Sequence, residues 1–263
     1  MLWLTSKATY PRGLNSLEGS CPCPGSWARA YGAHLVIQAR EDQTVLHGSR
    51  GAANLFPTNA LGWDRDRQSG RRKQAADANP YAAERLVEHV GDMLDVLFSA
   101  EGDFARDARE GPLTAALYGA LGSEMDPAPL ARALMVHGLE LALPVVIQRG
   151  APLVFRRWRP GDPLELDQAG CPAPLDLAGE VMPDLIIVPL LAFDASGGRL
   201  GQGGGYYDRT LEALRGAEGA PPAAVGLAYA AQELDNLPMD PHDQPLDGVL
   251  TEAGYRSAKR ISE

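Results

Sequence analysis

The sequence predicts an α/β fold, a layered, mostly parallel central sheet flanked by helices. Three observations carry this expectation. Strand-like and helix-like stretches alternate along most of the chain, as they do when parallel strands are joined by crossover helices. The run Asp184–Phe193 is almost entirely apolar, as expected of a strand covered on both faces. A glycine-rich loop, Arg199-Leu-Gly-Gln-Gly-Gly-Gly-Tyr-Tyr-Asp208, follows that run and opens onto a helix-like segment. Ligands of open α/β sheets sit in such places, beyond the carboxyl ends of the strands.

The first sixty residues are rich in turn formers and lack sustained periodicity, with only Ala33–Gln38 resembling a short strand. Residues 1–60 therefore read as an irregular N-terminal extension with the makeup of a disordered segment, ahead of an α/β domain over 61–263. The stretch Gly62-Trp-Asp-Arg-Asp-Arg-Gln-Ser-Gly70 reads as a poor helix. Regular structure is expected to begin at Asn79-Pro80, a cap followed by proline at the first helical position. Leu86, Val87, Val90, Met93, Leu94, Leu97 and Phe98 then recur at helical spacing. A strand over Leu113–Tyr118 precedes a helix from Asp126-Pro127 to His137, stopped by Gly138. Leu139–Ile147 and Leu153–Trp158 read as strands, the first weakened by Pro144. After Asp184–Phe193 and the glycine loop come a helix over Tyr206–Arg215, ended by Gly216, a buried strand over Ala224–Tyr229, and a short last strand over Gly248–Thr251.

Composition narrows the function. A chain of 263 residues, 45% hydrophobic and 22% charged, can bury a full core. A formal net charge of -10 argues against a general nucleic-acid binder, though residues 1–73 carry ten Lys/Arg against five Asp/Glu. No apolar run approaches the ~20 residues of a membrane span, and no secretory signal is evident. Cys21, Cys23 and Cys171 are an odd set, which suits a reducing cytoplasm. Cys21 and Cys23 lack a second ligand pair for zinc.

The glycine loop is the strongest chemical signal. Glycine permits positive φ and removes side chains that would hold an anion away; the following helix adds its partial positive end. Arg199 offers a full charge. No Gly-Lys-Ser/Thr follows, so this is not a Walker A loop, and the spacing is wrong for a dinucleotide fingerprint. A plain turn is the simpler alternative. Asp208, in the first helical turn, either complements the helix dipole or holds a Mg²⁺ against phosphates, with Asp247 as a candidate second carboxylate. Glu124 lies in a strand-to-helix loop and either caps backbone or grips polar N–H groups of a ligand. Trp158, Tyr206 and Tyr207 are core residues or stacking walls. Arg65, Arg67, Arg71, Arg72 and Lys73 form a basic run that is either a solvated face or a triphosphate contact.

Taken together, Pro183-Asp-Leu-Ile-Ile-Val-Pro-Leu-Leu-Ala-Phe-Asp194 and the loop Arg199–Asp208 resemble the signature of the 5-formyltetrahydrofolate cyclo-ligase (5,10-methenyltetrahydrofolate synthetase) family. Tyr118-Gly-Ala-Leu-Gly-Ser-Glu124, Leu143-Pro144-Val145, Leu153-Val-Phe-Arg-Arg-Trp158, Val225-Gly226-Leu227 and Pro241-His-Asp-Gln-Pro-Leu-Asp247 fall in that family's order. The resemblance implies a fold similar to the NagB/RpiA/CoA-transferase-like architecture and a cytoplasmic, monomeric enzyme. The implied reaction is ATP- and Mg²⁺-dependent closure of 5-formyltetrahydrofolate to 5,10-methenyltetrahydrofolate, through a phosphorylated formyl group.

By the same resemblance Arg199 and Tyr207 are catalytic. ATP is bound by Arg65, Arg72, Arg199, Leu200, Gly201, Gln202, Gly203, Gly204, Gly205, Tyr206 and Tyr207. Glu124, Trp158, Gln202, Gly203, Gly204, Gly205 and Tyr206 meet the folate, and Asp208 and Asp247 the Mg²⁺. The family has a lysine, an arginine four residues later and a further arginine seven beyond. Arg65 and Arg72 take the arginine places by spacing, and Leu61 stands where the lysine would be. A non-catalytic nucleotide- or folate-binding paralogue, and a sugar-phosphate or CoA-linked enzyme on a similar sheet, are the competing readings.

Overall fold

The computed structural model describes residues 64–102, 104 and 111–259. The N-terminal extension, with Ala33–Gln38, Cys21 and Cys23, and Leu61 at the start of the α/β domain lie outside the described residues.

The first element corrects an expectation. Residues 65–70 of the stretch that reads as a poor helix begin helix α1, Arg65–Ala78. Asp64 caps it, its carboxylate accepting the Arg67 N–H at 3.0 Å. The rest comes from tertiary contacts that override propensity: Gln68, Arg72 and Ala75 are buried, and Arg71 reaches the Ala231 carbonyl at 3.1 Å. Asn79-Pro80 is accordingly a break between helices. Proline disfavours the helical conformation in the residue before it, and Asn79 sits at φ -129°, ψ 65°. The chain re-enters helix at α2 (Ala82–Arg85), tightens into a 3₁₀ turn over Leu86–His89, and continues as α3 (Val90–Phe98). Leu86, Val90, Met93 and Leu97 point inward, as their spacing predicts.

Strand β1 (Thr114–Ala116), helix α4 (Ala128–Val136) and strand β2 (Glu140–Val145) follow as a crossover unit, with β1 and β2 parallel. Next come β3 (Val154–Arg157), the hairpin β4 (Leu164–Leu166) and β5 (Pro172–Pro174), and β6 (Leu185–Pro189). A small hairpin, β7 (Ala192–Phe193) with β8 (Arg199–Leu200), leads into α5 (Tyr206–Gly216). The chain then forms β9 (Ala223–Leu227), β10 (Gly248–Thr251) and β11 (Gly254–Ser257). Seven strands make one sheet in the order β11-β10-β9-β6-β1-β2-β3. Its inner pairings are parallel, and only the edge strands β11 and β3 run antiparallel to their neighbours. The expected mostly parallel sheet is therefore present.

The apolar run 184–193 is not one strand. Pro189 closes β6, since it has no N–H for the ladder. The Gln232 side-chain amide then donates to the carbonyls of Leu190 and Leu191 at 2.9 and 3.1 Å, turning that backbone out of the sheet. Within β6 the period of two is clear: Leu185 and Ile187 pack with the helical layer of α3 and α4, while Ile186 and Val188 pack with Leu211 of α5 on the other face. Both faces are covered, so the continuous apolar sequence is required. From the adjacent pair β1 and β6 the chain proceeds in opposite directions, to β2 on one side and to β9 on the other. That junction is a topological switch point, where a crevice opens at the strand ends.

Candidate functional site

A cavity of about 420 Å³ opens at this junction. Tyr118 and Gly119 beyond β1, Pro144 and Val146 at the end of β2, and Pro189 at the end of β6 line it. All of Arg199–Asp208 contributes a wall. Gly203 and Gly205 have φ of 95° and 63°, which L side chains avoid. A Cβ at Gly205 would lie 2.7 Å from Arg209 Nη1, the end of a flexible side chain that can move, so it is the positive φ that calls for glycine. The loop is fastened from outside: Arg65 Nε donates to the Gly201 carbonyl at 3.1 Å and Arg209 Nη2 to the Gly204 carbonyl at 2.7 Å. The Arg209 guanidinium lies over the Tyr206 ring at 5.2 Å.

Two ion pairs organise the polar part of the cavity. Arg199 Nη2 contacts Asp208 Oδ1 at 2.6 Å, and its Nη1 donates to the Gln244 carbonyl. The Gln244 N–H returns to Asp208 Oδ1 at 3.1 Å, tying the loop to the segment before β10. The second pair joins Arg72 Nη1 to Glu124 Oε1 at 3.2 Å, with both side chains 5% exposed. Glu124 Oε2 accepts the Leu121 N–H at 2.9 Å. Two tyrosines flank this carboxylate. Burial, and then the Glu124 charge, push the hydroxyls of Tyr118 and Tyr207 well above the usual tyrosine range. Both therefore keep their protons at any physiological pH. The Tyr118 hydroxyl donates to the Met125 carbonyl at 2.7 Å.

Of the residues expected to act, Arg65, Glu124, Arg199, Leu200, Gly201, Gln202, Gly203, Gly204, Gly205, Tyr206, Tyr207 and Asp208 all line this one cavity. Three do not. Arg72 is buried behind the wall and is spent on Glu124 and on Ser123 Oγ, at 3.2 Å each. Trp158 is 2% exposed in the core beside Leu141 and Leu143, because β3 pairs with β2 and carries it inward. Asp247 is off the cavity: its Oδ2 accepts from Arg215 Nη2 at 3.2 Å and from the Ala224 N–H at 2.9 Å, bridging α5 to β9.

This coincidence of signature and cavity is matched by comparison with known proteins. A family model, the 5-formyltetrahydrofolate cyclo-ligase family, matches residues 110–252, which is more than half of the chain. The chain belongs to the 5-formyltetrahydrofolate cyclo-ligase family. It is 36% identical over 140 residues to a 5-formyltetrahydrofolate cyclo-ligase of Haemophilus influenzae, a match covering 51% of this chain and 73% of that relative. A cyclo-ligase of Mycolicibacterium smegmatis is 36% identical over 146 residues, covering 52% and 73%. The NMR structure of Aquifex aeolicus 5,10-methenyltetrahydrofolate synthetase superposes with a TM-score of 0.51 at 29% identity, covering 74% of this chain and 95% of that one.

The cyclo-ligase signature lies within the matched segment, whereas Arg65 and Arg72 precede it. Their placement rests on helix α1 alone. Other residues of the cavity wall carry no site signal in the sequence. Leu153, Asp167 and Cys171 form one side, and Leu237, Pro238, Asp240 and Asp243 another. Asp167 builds its side by accepting from the N–H groups of Val146, Ala169 and Cys171, each at 2.9 Å. The reach of Asp167 back to Val146, 21 residues earlier, has no local trace in the sequence.

Mg²⁺ asks for oxygen donors that face the cavity. Among the described residues no three His, Cys, Asp or Glu side chains form a metal cage. Mg²⁺ needs no such cage when it binds through one or two carboxylates and substrate phosphates. Asp208, on the cavity wall beside the glycine loop, fits that role. Asp247, like Asp208, is ion-paired and accepts a backbone N–H, but it does not line the cavity. Among the described residues, no helix is long and apolar enough to cross a membrane.

Proposed function

We propose that this protein is a 5-formyltetrahydrofolate cyclo-ligase that uses ATP and Mg²⁺ to form 5,10-methenyltetrahydrofolate, ADP and phosphate. The observation that carries the reading is the glycine loop and Glu124 lining one cavity at the sheet's switch point. An anion site and a buried acceptor for N–H groups then face a shared space, as a reaction between a nucleotide and a pterin requires.

The chemistry follows from the substrate. The formyl oxygen is an amide oxygen and a poor leaving group. Transfer of the γ-phosphoryl group to it makes the formyl carbon electrophilic. The N10 lone pair forms the new C–N bond, the C–O bond breaks with departure of phosphate, and the N10 proton passes to solvent. Arg65 and Arg199 supply positive charge to the triphosphate, and the side-chain-poor loop lets phosphate oxygens approach backbone. Asp208 is the carboxylate that would hold Mg²⁺, whose contribution there is neutralisation of triphosphate charge. Tyr207, protonated, acts as a hydrogen-bond donor and not as a base. Glu124 accepts from the pterin N–H groups. Pro144, Val146 and Leu153 exclude water that would hydrolyse the activated formyl group.

Leu61, at the place of the family's lysine, favours a second reading: a paralogue that binds without turnover. One assay separates the two. The folded full chain is mixed with ATP, Mg²⁺ and 5-formyltetrahydrofolate, and methenyltetrahydrofolate absorbance is followed together with ADP release. Equimolar formation of both products supports the enzyme. Calorimetric binding of both ligands with no product supports the paralogue.

A further inference from the structure

We infer that Arg72 is a positioning residue for the folate-binding carboxylate of Glu124, and not a ligand of the nucleotide phosphates. The inference rests on the cyclo-ligase reading above and reassigns a residue that spacing alone gives to ATP.

Arg72 is 4% exposed and stands behind the cavity wall, whereas Glu124 is on it. The guanidinium is committed twice: Nη1 to Glu124 Oε1 and Nε to Ser123 Oγ, both at 3.2 Å. Swinging it toward a triphosphate would leave a buried carboxylate without its counter-charge, the most costly way to break such a pair. Glu124 meanwhile keeps capacity to bind. A carboxylate offers about four lone-pair sites. Arg72 occupies one on Oε1 and the Leu121 N–H one on Oε2, so each oxygen retains a site for ligand N–H donors. The two anchors fix the plane of the carboxylate before a ligand arrives, which is how a supporting residue gives affinity without touching the ligand.

Helix α1 explains why spacing misleads. Residues 65 and 72 are about two turns apart and share one face of the helix. Arg65 meets the loop, hydrogen-bonding Gly201 and lying 3.4 Å from a Cβ built on Gly203. Arg72 meets Glu124. The helix thus divides the labour, one arginine serving the nucleotide wall and the other the folate wall.

The test measures dissociation constants for ATP with Mg²⁺ and for 5-formyltetrahydrofolate, with kcat and both KM values, in wild type, R72Q, R72K, E124Q and the R72Q/E124Q double variant. Loss of a charge-assisted contact predicts that R72Q weakens folate about tenfold or more while ATP moves less than about twofold. In the E124Q background, R72Q adds less than about threefold, because the residue acts through Glu124. R72K keeps the charge but not the fork and falls between wild type and R72Q; it carries the comparison if R72Q does not fold. An ATP constant that rises as much as the folate constant overturns the inference, as do R72Q and E124Q effects that simply multiply. Those outcomes leave the cyclo-ligase reading intact, whereas a wild type that neither binds 5-formyltetrahydrofolate nor turns over removes both.

Discussion

Replacing Asp194 by alanine asks what holds the glycine loop in place. Asp194 is 3% exposed at the turn of the β7–β8 hairpin that delivers Arg199 to the cavity. Its Oδ1 accepts the N–H of Ser196 at 2.9 Å, the Ser196 hydroxyl at 2.6 Å and the N–H of Gly198 at 3.0 Å. Its Oδ2 accepts the N–H of Leu237 at 2.7 Å, joining the hairpin to another wall of the cavity. The hydrogen bonds from Gly198 and Leu237 are buried, so alanine would orphan two donors where water cannot replace the acceptor. At about 1–3 kcal/mol for each buried donor left unmade, the expected loss is about 4 kcal/mol, with the half-exposed Ser196 groups adding little. That is a large part of the ~5–15 kcal/mol that holds a typical domain together. Urea unfolding reads it as a lowered midpoint at unchanged slope. Asp194→Asn keeps one acceptor oxygen but turns an amide toward a donor, so it falls between wild type and alanine. A loss below about 1 kcal/mol for Asp194→Ala would refute the reasoning.

The other predictions concern charge, space and pH. Arg65→Gln raises the KM for ATP about tenfold with little change for 5-formyltetrahydrofolate, because it removes a cation from the loop wall alone; steady-state kinetics with each substrate varied checks this. Gly248→Ala destabilises the fold by about 1–3 kcal/mol in chemical unfolding, since overpacking is costly where little can yield. Its Cβ would lie 2.7 Å from the Arg256 carbonyl oxygen, on the backbone of the paired strand β11. Alkaline pH destabilises the protein through Tyr118, Tyr207 and Tyr229, whose hydroxyls are raised chiefly by burial. Their stabilisation is complete below the unfolded tyrosine pKa of about 10 and is lost as pH rises toward the folded values. The slope is about 1.4 kcal/mol per pH unit for each tyrosine held protonated. An unfolding midpoint that stays flat between about pH 9 and 11 contradicts this.

What the sequence revealed depended on how local each signal was. The parallel sheet was legible because strands covered on both faces need unbroken apolar runs, as in Leu185–Val188. The glycine loop was legible because its chemistry lies within ten consecutive residues. Helix α1 was not, because it has no apolar stripe. Its inward face is Gln68, Arg72 and Ala75, and its anchors lie far along the chain, as with Arg72 and Glu124, 52 residues apart. Asp247 is a similar case: its partner Arg215 lies 32 residues earlier, and its place off the cavity has no local trace. Trp158 is open between core and stacking wall in the sequence, and the structure makes it core because the pairing of β3 with β2 decides which side faces inward. The apolar run 184–193 reads as one strand because its break is not in its hydropathy: Pro189 lacks a ladder N–H, and the Gln232 amide that diverts Leu190 and Leu191 is set by the fold.

Where the two reactants lie is measured directly by a structure of the protein with a non-hydrolysable ATP analogue, Mg²⁺ and 5-formyltetrahydrofolate. The prediction is a triphosphate against Gly201–Gly205 with Arg65 and Arg199 in contact, a pterin hydrogen-bonded to Glu124, and Arg72 still paired behind it. A nucleotide bound away from the glycine loop, or a folate that leaves Glu124 untouched, would contradict the account at its centre.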